Sequence, residues 1–283
     1  MSATRDVKGL AFRIGLWACL GLSVAMLAIL IVDTASDGLG SLSLDFLTDP
    51  PSRLADRAGL GPALAGTIWL MVVCAVFIVP VGVASAVYLE EYADRTKWWN
   101  RMIEVNIQNL AAVPSIVYGI LGLAFIVRGP LGLGRVVLAG ALTLGLLVLP
   151  VVIIASREAI RAVPPSIREG SLALGATQWQ TIWKQVLPSA VPGIATGVIL
   201  ALSRAIGETA PLIVIGAATY IAVNPTGLDS AFTAMPIQIF NWISQPQDDF
   251  KLKAAAGILV LLGVLMLMNS IAIYLRNRYE KKW

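Results

Sequence analysis

The sequence predicts an all-α integral membrane protein with six transmembrane helices in a single domain. Three observations carry that expectation. Hydrophobic residues make up 57% of the 283-residue chain and charged residues only 13%, where a soluble domain carries about 25% charge. Charge-free apolar runs recur along the chain at the ~20-residue length a spanning helix needs, and the mean hydropathy is +0.79. Lysine and arginine crowd alternate connections between those runs, as cytoplasmic loops do.

The first span is Ile14–Val32. Its run is longer than the apolar core of a signal peptide and no small-residue cleavage site follows, so it reads as a retained helix. The polar segment 36–61, with Pro50-Pro51 and several glycines, is expected outside. Span two is Ala58–Leu89. Span three, Val105–Val127, contains Pro114, and span four, Val136–Ser156, contains Pro150. Proline in a membrane helix either kinks it or opens backbone groups toward a cavity. Span five, about Ala190–Ala218, is interrupted only by Arg204 and Glu208. The outer segment 220–250 holds Pro225, Pro236, Pro246 and Asp248-Asp249, and span six is Ala254–Leu275. Gly193 and Gly197 form a G-x-x-x-G, usable for close helix contact but frequent by chance in apolar helices.

Orientation follows from the cations. With the N-terminus inside, the inner segments carry Arg5, Lys8, Arg13, Arg95, Lys97, Arg101, Arg157, Arg161, Arg168, Lys184, Arg276, Arg278, Lys281 and Lys282. The outer loops carry only Arg53, Arg57, Arg128, Arg135, Lys251 and Lys253. Both termini are therefore expected in the cytoplasm. Trp98, Trp99, Trp179, Trp183, Trp242 and Trp283 fall near span ends, as an interfacial belt requires.

Composition also excludes function classes. The net charge of +4 is modest and its cations are spread through the loops, so no nucleic-acid surface is expected. Cys19 and Cys74 sit in apolar runs, which argues against a disulfide framework. The chain has no histidine, so the commonest general base and metal ligand is absent, and no metal site or cofactor is expected. An intramembrane enzyme would need a nucleophile and base within the spans, and those parts are missing. There is no G-x-x-x-x-G-K-[ST], so this chain is not expected to bind ATP by a P-loop.

The connection after span four, about 157–189, is long but not disordered in composition. Pro164-Pro165 should break the incoming helix. Ser166 and Glu169 fit a capping box for a short helix, with Ile167, Leu172 and Leu174 on its apolar side and Gly175 at its end. A second helix, about Thr177–Val186, should bring the chain to Pro188. Such a pair is either a hairpin packed on the bundle or a surface for a partner.

Glu169-Gly170-Ser171, then Gly175, then Leu187-Pro188 resembles the EAA motif of ABC importer permeases. That motif is a glutamate with two small residues, a glycine six after the glutamate, and a terminal Leu-Pro. Gly170, Ser171 and Gln185 depart from its usual residues while the spacing is kept. In that family the loop holds the coupling helix that enters a cleft on the ATPase, so the resemblance implies docking contacts there. "SRAIGETAP" (203–211), "VPSIVYGILGL" (113–123), "AVYLEEYA" (86–93), "SLSLDFLTDPP" (41–51) and "MPIQIFNW" (235–242) are similar to the A-type permeases of phosphate-specific Pst importers. The resemblance covers about Leu39 to the C-terminus. It implies a MetI-like, type I ABC importer permease fold in a bacterial inner membrane. It implies a second, related permease subunit as heterodimer partner and an ATPase dimer that binds ATP and Mg. It implies an extracytoplasmic phosphate-binding protein, and phosphate as cargo. The alternative is a permease for another oxyanion such as sulfate or molybdate.

Arg204 and Glu208 are the charges that an apolar span must justify. A charge at the bilayer centre costs about 2.5–3.5 kcal/mol on insertion scales. One helical turn apart, the two either neutralise each other to fix packing or place Arg204 on the substrate pathway, its planar fork matched to phosphate oxygens. Thr209 and Ser203 flank the pair, and Ser115 and Tyr118 offer further hydroxyls that could equally bond a neighbouring helix.

Overall fold

A computed structural model describes residues 7–94, 96–217 and 220–279. Arg5, Arg95, Lys281, Lys282, Trp283 and Ala218, all used in the expectations above, lie outside the described residues, as does the Lys8 side chain.

The described residues are mostly helical, apart from connections such as 220–234. Helices α1 (Val7–Gly38) and α2 (Leu44–Thr48) precede α3 (Gly61–Val87), which a π-turn prolongs over Tyr88–Tyr92. Next come α4 (Trp98–Ala111) and α5 (Ser115–Leu121), the latter continued as a π-helix over Gly122–Val127. Helix α6 (Val137–Arg161) leads to α7 (Pro165–Ala173) and α8 (Gln178–Thr181). A π-segment, Ile182–Val186, fuses α8 to α9 (Leu187–Gly207). Helix α10 (Ala210–Val214), α11 (Met235–Ile243) and α12 (Asp248–Tyr279) complete the chain.

Five of these stretches are long and apolar enough to cross a membrane: Gly9–Ser41, Gly61–Tyr92, Val137–Arg161, Gln178–Gly207 and Asp248–Arg278. The sixth is a pair bent by 108° between Trp98–Ala111 and Ser115–Val127. Span three is therefore not the continuous helix expected over Val105–Val127. Pro114 has no N–H to donate and disfavours helical geometry at Val113, so the helix stops at Ala111 and restarts at Ser115.

Helix α6 is the hub. Val137, Leu144, Val148 and Val152 along it are fully buried, with Leu70, Cys74 and Ile78 of α3 and Ala201 and Ala205 of α9 in the same core. Its first N–H groups, which no helix can satisfy internally, donate outward: Val137 to the Ser230 carbonyl at 3.0 Å and Leu138 to the Leu228 carbonyl at 2.9 Å. The contact between α6 and α9 is made by the G-x-x-x-G. A Cβ on Gly193 would stand 2.6 Å from the Ala159 methyl, and one on Gly197 would overlap Ala155. Absent side chains are what let the two backbones approach.

Segment 36–61 and the α11 region are built rather than loose. In 36–61, Ser43 caps α2 by accepting from the Phe46 N–H at 3.0 Å. Phe46 is buried against Trp242 of α11, ring centroids 5.7 Å apart.

Candidate functional site: a broken helix carrying Arg204 and a helical loop after α6

Span five is not continuous to Ala218. Helix α9 ends at Gly207, Glu208 is extended with ψ 109, and α10 starts two residues later with Pro211 in its first turn. Helix α10 packs on α5 so closely that a Cβ on Gly119 would lie 2.8 Å from Cα of Pro211. Helix α5 with its π-continuation is about 20 Å long at 1.5 Å per residue, shorter than the ~30 Å hydrocarbon layer. Two interrupted helices thus meet. Non-helical backbone at membrane depth survives only buried in protein or lining water.

Arg204 sits in the last turn of α9, beside that break. Its Nε donates to Glu208 Oε1 over a long 3.4 Å, and the side chains are 43% and 18% exposed. The contact is therefore long, with Arg204 left partly exposed by the described residues and Glu208 more shielded. Arg204 also stands in the last turn of α9, where a cation is favoured by the helix dipole.

The expected hydroxyls divide. Ser203 donates to Asn269 Oδ1 of α12 at 2.6 Å and so serves helix packing. The Tyr118 hydroxyl donates to the Leu110 carbonyl at 2.8 Å, clamping the α4–α5 bend. Ser115 opens α5 and Thr209 occupies the break, both partly exposed. A cavity of about 780 Å³ lined by Arg53, Tyr220, Gln238 and Asn241 includes none of the expected pathway residues.

The second candidate region is the α7–α8 loop. The capping box expected at Ser166 and Glu169 does not form, because α7 starts a residue earlier at Pro165, with Pro164 as its cap. Proline at the first helical position needs no N–H. The capping box is instead at Thr177 and Gln180. Gly175 ends α7 with φ +85, a left-handed geometry that glycine adopts without penalty, and the Ala176 N–H closes the turn on the Ser171 carbonyl at 3.2 Å. The Ser171 hydroxyl meets Thr181 at 2.8 Å, tying α7 to α8. Glu169 and Gly170 are exposed. Leu172 and Leu174, on the apolar side expected of this helix, are 50% and 90% exposed. A groove of about 510 Å³ runs past Ser166, Gly170, Ser171, Leu174 and Gln180. The second helix does not stop before Leu187-Pro188: the Leu187 N–H reaches back five residues to the Ile182 carbonyl. This π-turn accommodates a proline with no N–H to give.

An ion-pair lattice, not anticipated from sequence, holds this loop to the bundle. Arg168 of α7 donates to Glu91 at 2.8 Å and to the Ile160 and Val163 carbonyls at 2.8 and 2.6 Å. Arg161 grips Glu90 through two nitrogens, both at 3.1 Å, and Arg157 pairs with Glu104 at 2.9 Å. The Gln178 amide donates to the Glu91 carbonyl at 2.7 Å. A signal existed: carboxylates in "YLEEY" and arginines spaced along 157–168 had no stated partners.

The sequence pattern described as "binding-protein-dependent transport system inner membrane component" matches residues 78–281. The chain is 32% identical to the "probable ABC transporter permease protein YqgI" of Bacillus subtilis (strain 168), covering 93% of this chain and 94% of that one. It is 36% identical to "phosphate transport system permease protein PstA 1" of Mycobacterium tuberculosis (strain H37Rv), covering 77% and 70%. It is 31% identical to "phosphate transport system permease protein PstA" of Yersinia pestis, covering 86% and 81%. Among solved structures, a bacterial alginate ABC transporter aligns with TM-score 0.67 at 18% identity, over 98% of this chain and 99% of that chain. A MetNI methionine ABC transporter aligns at 0.60 and 18%, over 79% and 95%. These two likenesses bear on the fold.

Proposed function

The chain belongs to the binding-protein-dependent transport system inner membrane component family, and from that premise we propose that it is a permease subunit of an ATP-driven phosphate importer. The observation that carries the reading is Arg204. It stands at the break between α9 and α10, held by Glu208 over a long 3.4 Å and partly exposed among the described residues. A guanidinium fork suits a tetrahedral oxyanion, and relatives named as phosphate permeases are 31–36% identical.

A second permease subunit would cover the Arg204 face and supply the other half of the pathway. Glu208 would hold the guanidinium while the site is empty, so that the anion is released rather than trapped. Both termini would lie in the cytoplasm with the α7–α8 loop. Its exposed Leu172 and Leu174 and its groove suit insertion into a separate ATPase dimer, which would bind ATP and Mg. A phosphate-binding protein would deliver cargo on the outer side.

The test is reconstitution of the chain with its coexpressed neighbours in proteoliposomes. Phosphate uptake should depend on ATP, be competed by arsenate and resist sulfate. Uptake that sulfate or molybdate competes equally would assign the alternative oxyanion.

A further inference from the structure

A second arginine is seated at the far end of α10. That helix runs from the break beside Glu208 to Val214, a rise of about 7.5 Å at 1.5 Å per residue. It closes through Gly216, φ +81, whose N–H donates to the Ile213 carbonyl at 2.9 Å. The Arg135 side chain lies directly on that glycine: a Cβ there would stand 2.6 Å from Nε and 3.1 Å from Cζ. Glycine therefore both adopts the left-handed geometry without strain and leaves room for the guanidinium. The turn that delivers Arg135 is ordered. After the π-continuation of α5, the N–H groups of Leu131, Leu133 and Gly134 donate back to the carbonyls of Phe125, Ile126 and Val127 at 3.2, 2.9 and 3.2 Å. Helix α5 meets the start of α10 as well, where Gly119 abuts Pro211. Helix α5, the turn and α10 thus form one frame, with Arg204 before α10 and Arg135 over its far end.

The two arginines differ in their counter-charge. Arg204 is partly neutralised by Glu208. Arg135 is exposed, and among the described residues it forms neither an ion pair nor a hydrogen bond. The sequence has no acidic residue from 105 to 157 or from 209 to 228, so the turn, α5 and α10 bring no carboxylate to it. Its planar fork of five N–H donors is unspent.

We propose that Arg135 is a second contact for the transported oxyanion, reached before Arg204 on entry. The inference rests on the phosphate-importer reading above and adds an outer contact to it. A cation without a counter-charge raises the local concentration of an anion. A single exposed guanidinium also holds the anion less tightly than a closed site, so the anion can move on, as passage through successive sites requires. Arg204 receives it one short helix further in.

The experiment uses the reconstituted complex in proteoliposomes, with phosphate-loaded binding protein outside. Three quantities are measured: phosphate imported per ATP hydrolysed, the concentration of loaded binding protein that half-maximally stimulates the ATPase, and the amount of assembled complex. Arg135→Gln should lower phosphate per ATP about tenfold, as loss of a charged hydrogen bond does, because anion released toward the pathway escapes. The half-maximal concentration should stay within about twofold of wild type, well under the tenfold change that loss of a docking contact would bring. Arg135→Lys keeps the charge, on which attraction depends, and should recover most of the ratio. A ratio in Arg135→Gln equal to wild type would overturn the proposal. So would a shifted half-maximal concentration with an unchanged ratio, which would assign Arg135 to docking of the binding protein. Loss of assembled complex in both variants would overturn it too, as the mark of a packing role. A wild-type complex that imports no phosphate would sink the importer reading itself, whereas normal import with an unaltered Arg135→Gln ratio would sink this inference alone.

Discussion

Arg204 was legible in the sequence as a charge that an apolar span must justify, but its setting was not. The apolar run continues past Gly207, so periodicity alone placed Arg204 mid-helix. The structure ends α9 three residues after it, because Pro211 requires a fresh helical start. The consequence is testable at the residue. Arg204→Lys keeps the charge but loses the planar fork, and phosphate uptake should fall at least tenfold, the equivalent of one charged hydrogen bond at about 1.5–3 kcal/mol. Uptake within twofold of wild type would show that only charge matters. Glu208→Gln should leave the amount of complex in the membrane unchanged while slowing turnover, measured as initial uptake rate per quantified complex. Ser203 and Tyr118 looked like further ligands because a hydroxyl's partner cannot be read from sequence. Their bonds to Asn269 and to the Leu110 carbonyl are long-range or across a bend, so Ser203→Ala should reduce thermal stability, not substrate affinity.

The elements show a similar division. Long apolar runs located α1, α3, α6, α9 and α12, since length and hydropathy suffice for a span, but α9 stops at Gly207, well short of the expected Ala218. Short elements were missed where the composition looked like loop. The clearest is α11, read as part of an outer segment although Met235, Ile239 and Trp242 keep helical spacing and Pro236 sits in the first turn, a start signal. The G-x-x-x-G was undervalued, since nothing in one sequence says which helix faces it. Gly197→Val would drive a side chain into Ala155 and should cost about 1–3 kcal/mol by overpacking, read as a lower midpoint in detergent thermal unfolding. An unchanged midpoint would mean that α6 and α9 separate freely. Gly175 belongs to this scale too. A β-branched residue at φ +85 is strained by roughly 1–2 kcal/mol, so Gly175→Val should leave the protein in the membrane while reducing the ATPase stimulation that loaded binding protein produces.

For the whole molecule, the structure links its two candidate regions through α6 and α9. Helix α9 runs without a stop from the α8 side of the loop to Arg204, and α7 is bolted by Arg168 to the Glu91 turn that prolongs α3. A push on the loop therefore has rigid elements to act on. Glu91→Gln removes the charge that Arg168 faces, and a half-buried cation left without its partner is unfavourable. The α7–α8 loop should then be cut faster by protease in inverted membranes, with uptake reduced. The most direct measurement of the central claim is labelled-phosphate uptake by Arg204→Gln in proteoliposomes, beside quantified assembled complex and basal ATPase activity. The account predicts that uptake disappears while complex and basal ATPase persist. Near-normal uptake would contradict the pathway role of Arg204, and loss of the assembled complex would make Arg204 and Glu208 a structural pair instead.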